Sequence, residues 1–214
     1  MMHIRRGSSL LAATGNRNKI RELDVIAGEF GIRMLAPDEY ARAHGLSDPP
    51  RPVEDEPTFY GNALLKARAF AAWGQMPALA DDSGLEVDAL GGRPGVHSAR
   101  YGGAGASDAD RCRKLLGELA ALSKEKTIIR SARFRCSLVL ASPTGECISE
   151  ESSLEGEILQ EFRGDGGFGY DPIVLINDLG KTLAEVDFEV TCRCGFRALA
   201  ARRLFGMVVG PDGG

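Results

Sequence analysis

The chain alternates short apolar runs with longer stretches in which apolar residues recur every three or four positions, the pattern of strands interleaved with helices. Ser9 to Ala13 reads as a strand. From Arg17 to Phe30, Ile20, Leu23, Ala27 and Phe30 share one helical face, and Gly31 stops the helix. Ile32 to Leu35 is a second strand. The Pro-rich, acidic stretch from Pro37 to Pro57 reads as one long connection, and such lengths in compact domains are often functional. Thr58 can cap a helix reaching Trp73, with Phe59, Ala63, Ala67 and Phe70 turned inward. Pro77 to Ala80 and Leu85 to Ala89 read as two further strands, separated by a turn at Ser83-Gly84.

Ser107 to Leu122 has helical spacing, and from Ile128 the period changes to two. Ala132, Phe134, Cys136, Leu138 and Leu140 fall on one strand face, with Ser131, Arg133, Arg135 and Ser137 opposite. Cys147 to Leu154 can pair with that strand across a Pro143-Thr144-Gly145 turn. The order is mixed α/β, without repeats. Gly164-Asp165-Gly166-Gly167-Phe168-Gly169 has the wrong glycine spacing for a doubly wound nucleotide fingerprint. A chain of 214 residues with 43% apolar content is expected to bury one core, as a single domain with room for two lobes.

Charge narrows the ligand class. With 26 basic and 30 acidic residues the net charge is -4, unlike a protein that holds a nucleic-acid backbone. An acidic protein that binds polyphosphate needs a divalent cation and a local cluster of donors, so a small metal-chelated ligand fits better. Leu10-Leu11-Ala12-Ala13 is too short for a signal core, and no stretch approaches the roughly 18 apolar residues that span a bilayer. A cytoplasmic protein that binds no membrane is expected. Cys112, Cys136, Cys147, Cys192 and Cys194 follow no metal-finger spacing and read as reduced, mostly buried thiols. His3, His44 and His97 share no spacing that would support a histidine mechanism.

Three segments carry candidate chemistry. Thr14-Gly15-Asn16-Arg17-Asn18-Lys19 lies between a strand and a helix, where backbone amides favour an anion, Gly15 permits close approach and Lys19 adds a charge. The same residues also suit a plain helix cap with a solvated lysine. Asp81-Asp82 at a strand end can present hard oxygens to magnesium, whereas Glu54-Asp55-Glu56, three consecutive acids in a loop, is most often just a solvated run. Consecutive strand side chains point to opposite faces, so only one of Asp81 and Asp82 is expected to reach a ligand directly. In the third segment, Arg163 to Pro172, glycines free the backbone to wrap a ligand, Phe168 and Tyr170 offer faces for a base, and Asp171 can accept from it. A structural turn with core aromatics reads equally well.

Taken together, several blocks resemble the noncanonical purine nucleoside triphosphate pyrophosphatases, also called dITP/XTP or inosine triphosphate pyrophosphatases. These are Ala13 to Asn16 with Lys19; Thr58-Phe59, Asn62-Ala63 and Lys66-Ala67-Arg68; Leu79 to Gly92; Pro94-Gly95; Ser98-Ala99-Arg100-Tyr101; Gly166 to Pro172; and Gly180-Lys181-Thr182. They occur in order along nearly the whole chain, which makes the resemblance specific.

The resemblance implies an elongated mixed α/β sheet flanked by helices, with two lobes and a nucleotide cleft between them. It implies magnesium-dependent hydrolysis of ITP, dITP and XTP between the α and β phosphates, by a homodimer. On these residues, Thr14, Gly15, Asn16, Arg17, Asn18 and Lys19 would hold the triphosphate. Glu54 and Asp82 would bind Mg2+, with Asp82 also the proton acceptor for the attacking water, and Ser83 would touch the substrate. Phe168, Gly169, Tyr170 and Asp171 would line the base and sugar pocket.

One block departs from the family. Without a gap, Gly195-Phe196-Arg197 falls where the family has Ser-His-Arg, and Thr191 where it has a lysine. A two-residue gap puts Arg193-Cys194-Gly195 there instead. The ungapped register needs no deletion, leaves Phe196, Leu199, Ala200 and Leu204 as an apolar helix face, and makes Arg197 a substrate contact. Phenylalanine cannot donate to a purine carbonyl as histidine can, and a lost base contact costs about 1–3 kcal/mol. Two alternatives to the family activity follow: a shifted base preference, or a degenerate nucleotide-binding relative with little turnover.

Overall fold

The computed structural model describes residues 2–125 and 127–210. Its strands are β1 (Ser9–Ala12), β2 (Arg33–Leu35), β3 (Ala78–Val87), β4 (Ser131–Ala141), β5 (Cys147–Ile158), β6 (Val174–Ile176) and β7 (Lys181–Thr182). The helices are α1 (Arg17–Glu29), α2 (Pro37–His44), α3 (Phe59–Gly74), α4 (Asp108–Glu125), α5 (Phe188–Cys194) and α6 (Phe196–Val208). The strands form one seven-stranded mixed sheet in the order β2-β1-β3-β4-β5-β6-β7. β1 pairs in parallel with both β2 and β3, and β6 runs antiparallel to β5 and β7. The mixed α/β expectation is met.

Contacts divide the chain into two compact units. One holds the described residues of Met1–Asp82, Cys136–Ser152 and Arg197–Gly214, the other those of Ser83–Arg135 and Ser153–Phe196. In the first, Leu11, Ala13, Ala78, Ala80, Val139 and Ala141 of the sheet pack against Ala63, Ala67, Phe70 and Ala71 of α3. Small residues on both surfaces bring that helix close to the strands. The inward face expected of α3 is the face observed, and the Thr58 side chain caps the helix by accepting from the Gly61 amide at 3.0 Å.

Three expectations from the pattern need correction. Pro37 to Pro57 is not one loop, because its first eight residues form α2. Proline opens that helix, Asp38 and Glu39 lie in its first turn, and Gly45 ends it at φ 63°. Next, Ser83-Gly84 is not a turn: β3 runs unbroken through Asp81, Asp82, Ser83 and Gly84. Gly84 is there for closeness, since a Cβ on it would lie 2.4 Å from Ser98 Oγ and 2.6 Å from the Gly95 carbonyl oxygen.

The third correction concerns helix faces. α1 buries Leu23 and Ala27 as expected, together with Glu22 and Ile26, while Ile20 and Phe30 are half-buried. In α6, Phe196, Ala200 and Leu204 of the expected face are buried and Leu199 is exposed; Arg197, Ala201, Phe205 and Val208 are buried as well. Each buried face also takes in a charged residue, and Glu22 and Arg197 pair with each other inside the unit at 2.5 Å.

Among the described residues no cysteine is in a disulfide; Cys112, Cys136 and Cys192 are buried. Among the described residues no helix is long and apolar enough to cross a membrane.

Gly84→Ala should destabilise the protein by about 1–3 kcal/mol, the usual cost of overpacking. Urea denaturation followed by circular dichroism measures it, and an unchanged midpoint contradicts the close-approach role.

Candidate active site

β1 ends beside the start of β3. Ala12 pairs with Leu79, and two residues farther along the parallel strands come Thr14 and Asp81. The segment after β1 turns directly into α1. Asn16 caps that helix, its Oδ1 accepting from the Asn18 amide at 2.9 Å and the Lys19 amide at 3.4 Å. The Asn16 amide in turn donates to Thr14 Oγ1 at 3.1 Å. Gly15, Asn16, Arg17 and Asn18 are exposed, and nothing lies within 4 Å of where a Gly15 Cβ would stand. This is an ordered helix start with open space over its glycine, the setting in which a helix N-terminus accepts an anion.

Strand alternation sends the two adjacent aspartates to different partners. Asp81 meets α1 and α6: its Oδ1 accepts from Lys19 Nζ at 2.5 Å, and its Oδ2 accepts from Arg197 Nε and, at 3.5 Å, from the Cys136 thiol. Arg197 Nη1 donates to Glu22 Oε2. Burial disfavours the charged form of Asp81, yet Arg197 and Lys19 outweigh it and hold the carboxyl far below the usual carboxylate range. Two acids face two bases, so this cluster is electrically balanced.

Asp82 meets α3 instead. Its Oδ1 accepts from Lys66 Nζ at 2.9 Å and its Oδ2 from Asn62 Nδ2 at 3.3 Å. Lys66 also donates to Glu54 Oε2 at 2.7 Å. Asn62 anchors the acidic segment as well, accepting from the Glu56 amide at 3.1 Å. Burial pushes the Asp82 carboxyl up to about 6, with Lys66 opposing the rise. Burial works the same way on Glu54, but there Lys66 prevails and the carboxyl lies below its ordinary value. Lys66 keeps its proton despite burial because two carboxylates face it.

Magnesium fits this second cluster. One ammonium against two carboxylates leaves a negative charge in excess, and the donors are hard oxygens, of which a carboxylate offers about four lone-pair sites. Among the described residues no group of three or more His, Cys, Asp and Glu forms a closed metal cage. One or two carboxylates is nevertheless the protein share that magnesium takes when substrate phosphates and water complete its shell. Ser137 lies on the β4 face that carries Val139 and Ala141, and its buried Oγ has no partner among the described residues.

The glycine-rich segment belongs to the other unit and is tied down from within. Asp171 Oδ2 accepts from the Phe168 amide at 2.8 Å, and Tyr170 OH donates to the Ser98 carbonyl at 2.9 Å. The Gly169 amide donates to Asp108 Oδ2 at 2.7 Å. Tyr170 and Asp171 are buried, Phe168 half-buried and Gly169 half-buried. Ser83, next to Asp82 on β3, is half-buried.

Arg197, expected as a substrate contact, lies inside its unit. Its side chain is 1% exposed, and Asp81 and Glu22 already hold its guanidinium in the interior. Phe196 is likewise packed inward, stacked on Phe134 with ring centroids 4.9 Å apart. Pattern reading gave no role to Lys66, Asn62 or Glu22. A signal existed: Asn62 and Lys66 stand one helical turn apart on the face that carries Ala63, Ala67 and Phe70, where a polar pair needs partners.

Asp81 contributes stability above its ordinary pKa of 3.8, and that contribution is lost as pH falls below it, because the folded value is depressed. Urea midpoints of the wild type should therefore fall steeply in acid. Asp81→Asn should be less stable at neutral pH and show a flatter acid limb; parallel curves contradict the assignment.

The chain resembles known proteins over nearly its whole length. Residues 10–207 match the profile of the Ham1 family. A dITP/XTP pyrophosphatase of Thermus thermophilus is 46% identical over 199 residues, covering 93% of this chain and 91% of that protein. One from Lactobacillus johnsonii is 42% identical, covering 92% of each. Among solved structures, a HAM1 protein from Coxiella burnetii superposes with a TM-score of 0.80 at 34% identity, covering 93% of this chain and 97% of the other. With a family match over nearly its full length and relatives of such identity, the chain belongs to the Ham1 family.

Proposed function

We propose that the protein hydrolyses noncanonical purine nucleoside triphosphates such as ITP, dITP and XTP to the monophosphate and pyrophosphate, with magnesium, as a homodimer. The observation that carries this reading is the splitting of two adjacent carboxylates by one strand. Asp81 is spent on Lys19 and Arg197, while Asp82 with Glu54 keeps a negative charge beyond what Lys66 balances. A carboxylate pair in negative excess, whose Asp82 follows the β3 residue level with Thr14 at an open helix start, suits a metal-chelated polyphosphate ester.

In this reading Thr14, Gly15, Asn16, Arg17 and Asn18 receive the phosphates, and Lys19 stabilises the leaving pyrophosphate. Glu54 and Asp82 would hold magnesium, which supplies charge neutralisation on the phosphoryl oxygens. Asp82 accepts the proton of the attacking water, a task suited to a carboxyl that burial has pushed up to about 6. Lys66 and Asn62 keep that carboxylate in one orientation. Ser83 touches the substrate, and Phe168, Gly169, Tyr170 and Asp171 form the base and sugar pocket, the last two chiefly by holding the loop's shape. A second reading, shifted base preference, is favoured by one observation: Phe196 is stacked on Phe134 and offers no donor to a base.

The test is pyrophosphate release from a panel of ITP, dITP, XTP, ATP, GTP and CTP. Turnover of the first three is expected, stopped by EDTA and restored by magnesium. Asp82→Asn should lower kcat by about 100-fold or more with the fold intact by circular dichroism. No turnover of any triphosphate refutes the enzyme; turnover confined to the last three assigns the shifted preference.

Lys19→Met should raise KM and lower kcat together, since its charge serves both binding and the leaving group. Steady-state kinetics with ITP read this, and an unchanged kcat/KM removes Lys19 from the site.

A further inference from the structure

We propose that Asn62 is a positioning residue for the cation site: its one carboxamide ties the acidic segment before α3 to Asp82, and so sets the spacing of Glu54 and Asp82 to suit a small divalent cation. This rests on the reading above in taking those two carboxylates as the magnesium pair, and goes beyond it in naming what holds them at one distance. Glu54 comes from a stretch, residues 46–56, that is neither helix nor strand, whereas Asp82 lies within β3. Two elements so different in rigidity keep a fixed separation only through a group that grips both.

Asn62 is such a group. Its Oδ1 accepts from the Glu56 amide at 3.1 Å, while its Nδ2 donates to Asp82 Oδ2 at 3.3 Å and to the Glu56 carbonyl at 3.5 Å. The Glu56 N–H can only donate, so the carboxamide has one orientation and its amino group faces the acid. The residue is 1% exposed, and solvent does not compete for these bonds. Gly61 supports the same grip: a Cβ there would lie 2.8 Å from Glu56 Cβ, so the segment rests directly on the first turn of α3. Lys66, one turn beyond Asn62, meets Glu54 at 2.7 Å and Asp82 at 2.9 Å from a single nitrogen. It supplies charge, but an ammonium on a flexible stem sets no distance. The planar carboxamide does. Groups that bond to a ligand carboxylate rather than to the metal tune affinity in this way. Magnesium demands near-ideal geometry at short distances, whereas calcium accepts longer and more varied ones, so a loosened pair loses magnesium first.

The probe is Mn2+ alone, counted by its electron paramagnetic resonance signal, with Mg2+ and Ca2+ as competitors; hydrogen exchange at the Glu56 amide reads the grip itself. Asn62→Ala should exchange that amide faster, bind Mn2+ about tenfold or more weakly, and lose Mg2+ affinity more than Ca2+ affinity. Gly61→Ala keeps every polar group and lifts the segment, so it should shift the cation preference in the same direction; its preference decides alone if Asn62→Ala does not fold. In ITP hydrolysis at saturating magnesium, kcat should fall more than KM rises, since the pair serves the reacting phosphoryl group rather than the base. Equal losses of Mg2+ and Ca2+, the mark of a merely structural role, overturn the proposal, as do wild-type affinities in both variants or a wild type that binds no Mn2+. A wild type that binds Mn2+ but hydrolyses no nucleotide refutes the proposed activity alone, and the cation preferences still decide the role of Asn62.

Discussion

The alternation of side chains along β3 is the constraint on which the candidate site depends. Two consecutive acids on a regular strand cannot share a face, so Asp81 and Asp82 are committed to different partners by backbone geometry alone. One carboxylate becomes part of a balanced ionic cluster between α1 and α6. The other, with Glu54, remains in negative excess beside α3. A turn at this point would have broken that rule and allowed both acids to serve one ligand.

Burial sharpens the division. Removing a carboxylate from water disfavours its charge, and the two aspartates answer differently. Asp81 has two cations and stays ionised; Asp82 has a lysine that it shares with Glu54, and its carboxyl rises to about 6. The small residues that let α3 approach the sheet make this possible, because Asn62 and Lys66 reach Asp82 only from a helix packed closely on the strand.

The neighbouring charges act over short distances and in one direction. Glu22 balances Arg197, Arg197 takes one oxygen of Asp81, and Asp81 meets Lys19 with the other. The cluster thereby links the buried side of α6 to the open start of α1, although Arg197 itself never reaches solvent. In the second unit, the glycine-rich segment is held by Asp171, Asp108 and Ser98 rather than by its glycines, which supply room and backbone freedom.

The element order, the capped α3, the helix start at Asn16 and the family blocks were all legible in the amino-acid sequence, because each rests on local spacing and turn chemistry. Local signals also explain what was misread. Pro37 looked like the start of a loop although proline equally opens a helix, and Ser83-Gly84 looked like a turn although Gly84 serves contact with Ser98. Apolar periodicity found most of the inward faces of α1 and α6 but left Glu22 and Arg197 out of them, because both are charged. That partnership joins residues 175 positions apart and exists only once the helices pack. The sequence by itself determined which residues are present and which strands and helices they form; the tertiary structure decided which charges are paired, because the desolvation that makes a buried charge demand a partner arises only when the chain closes around it.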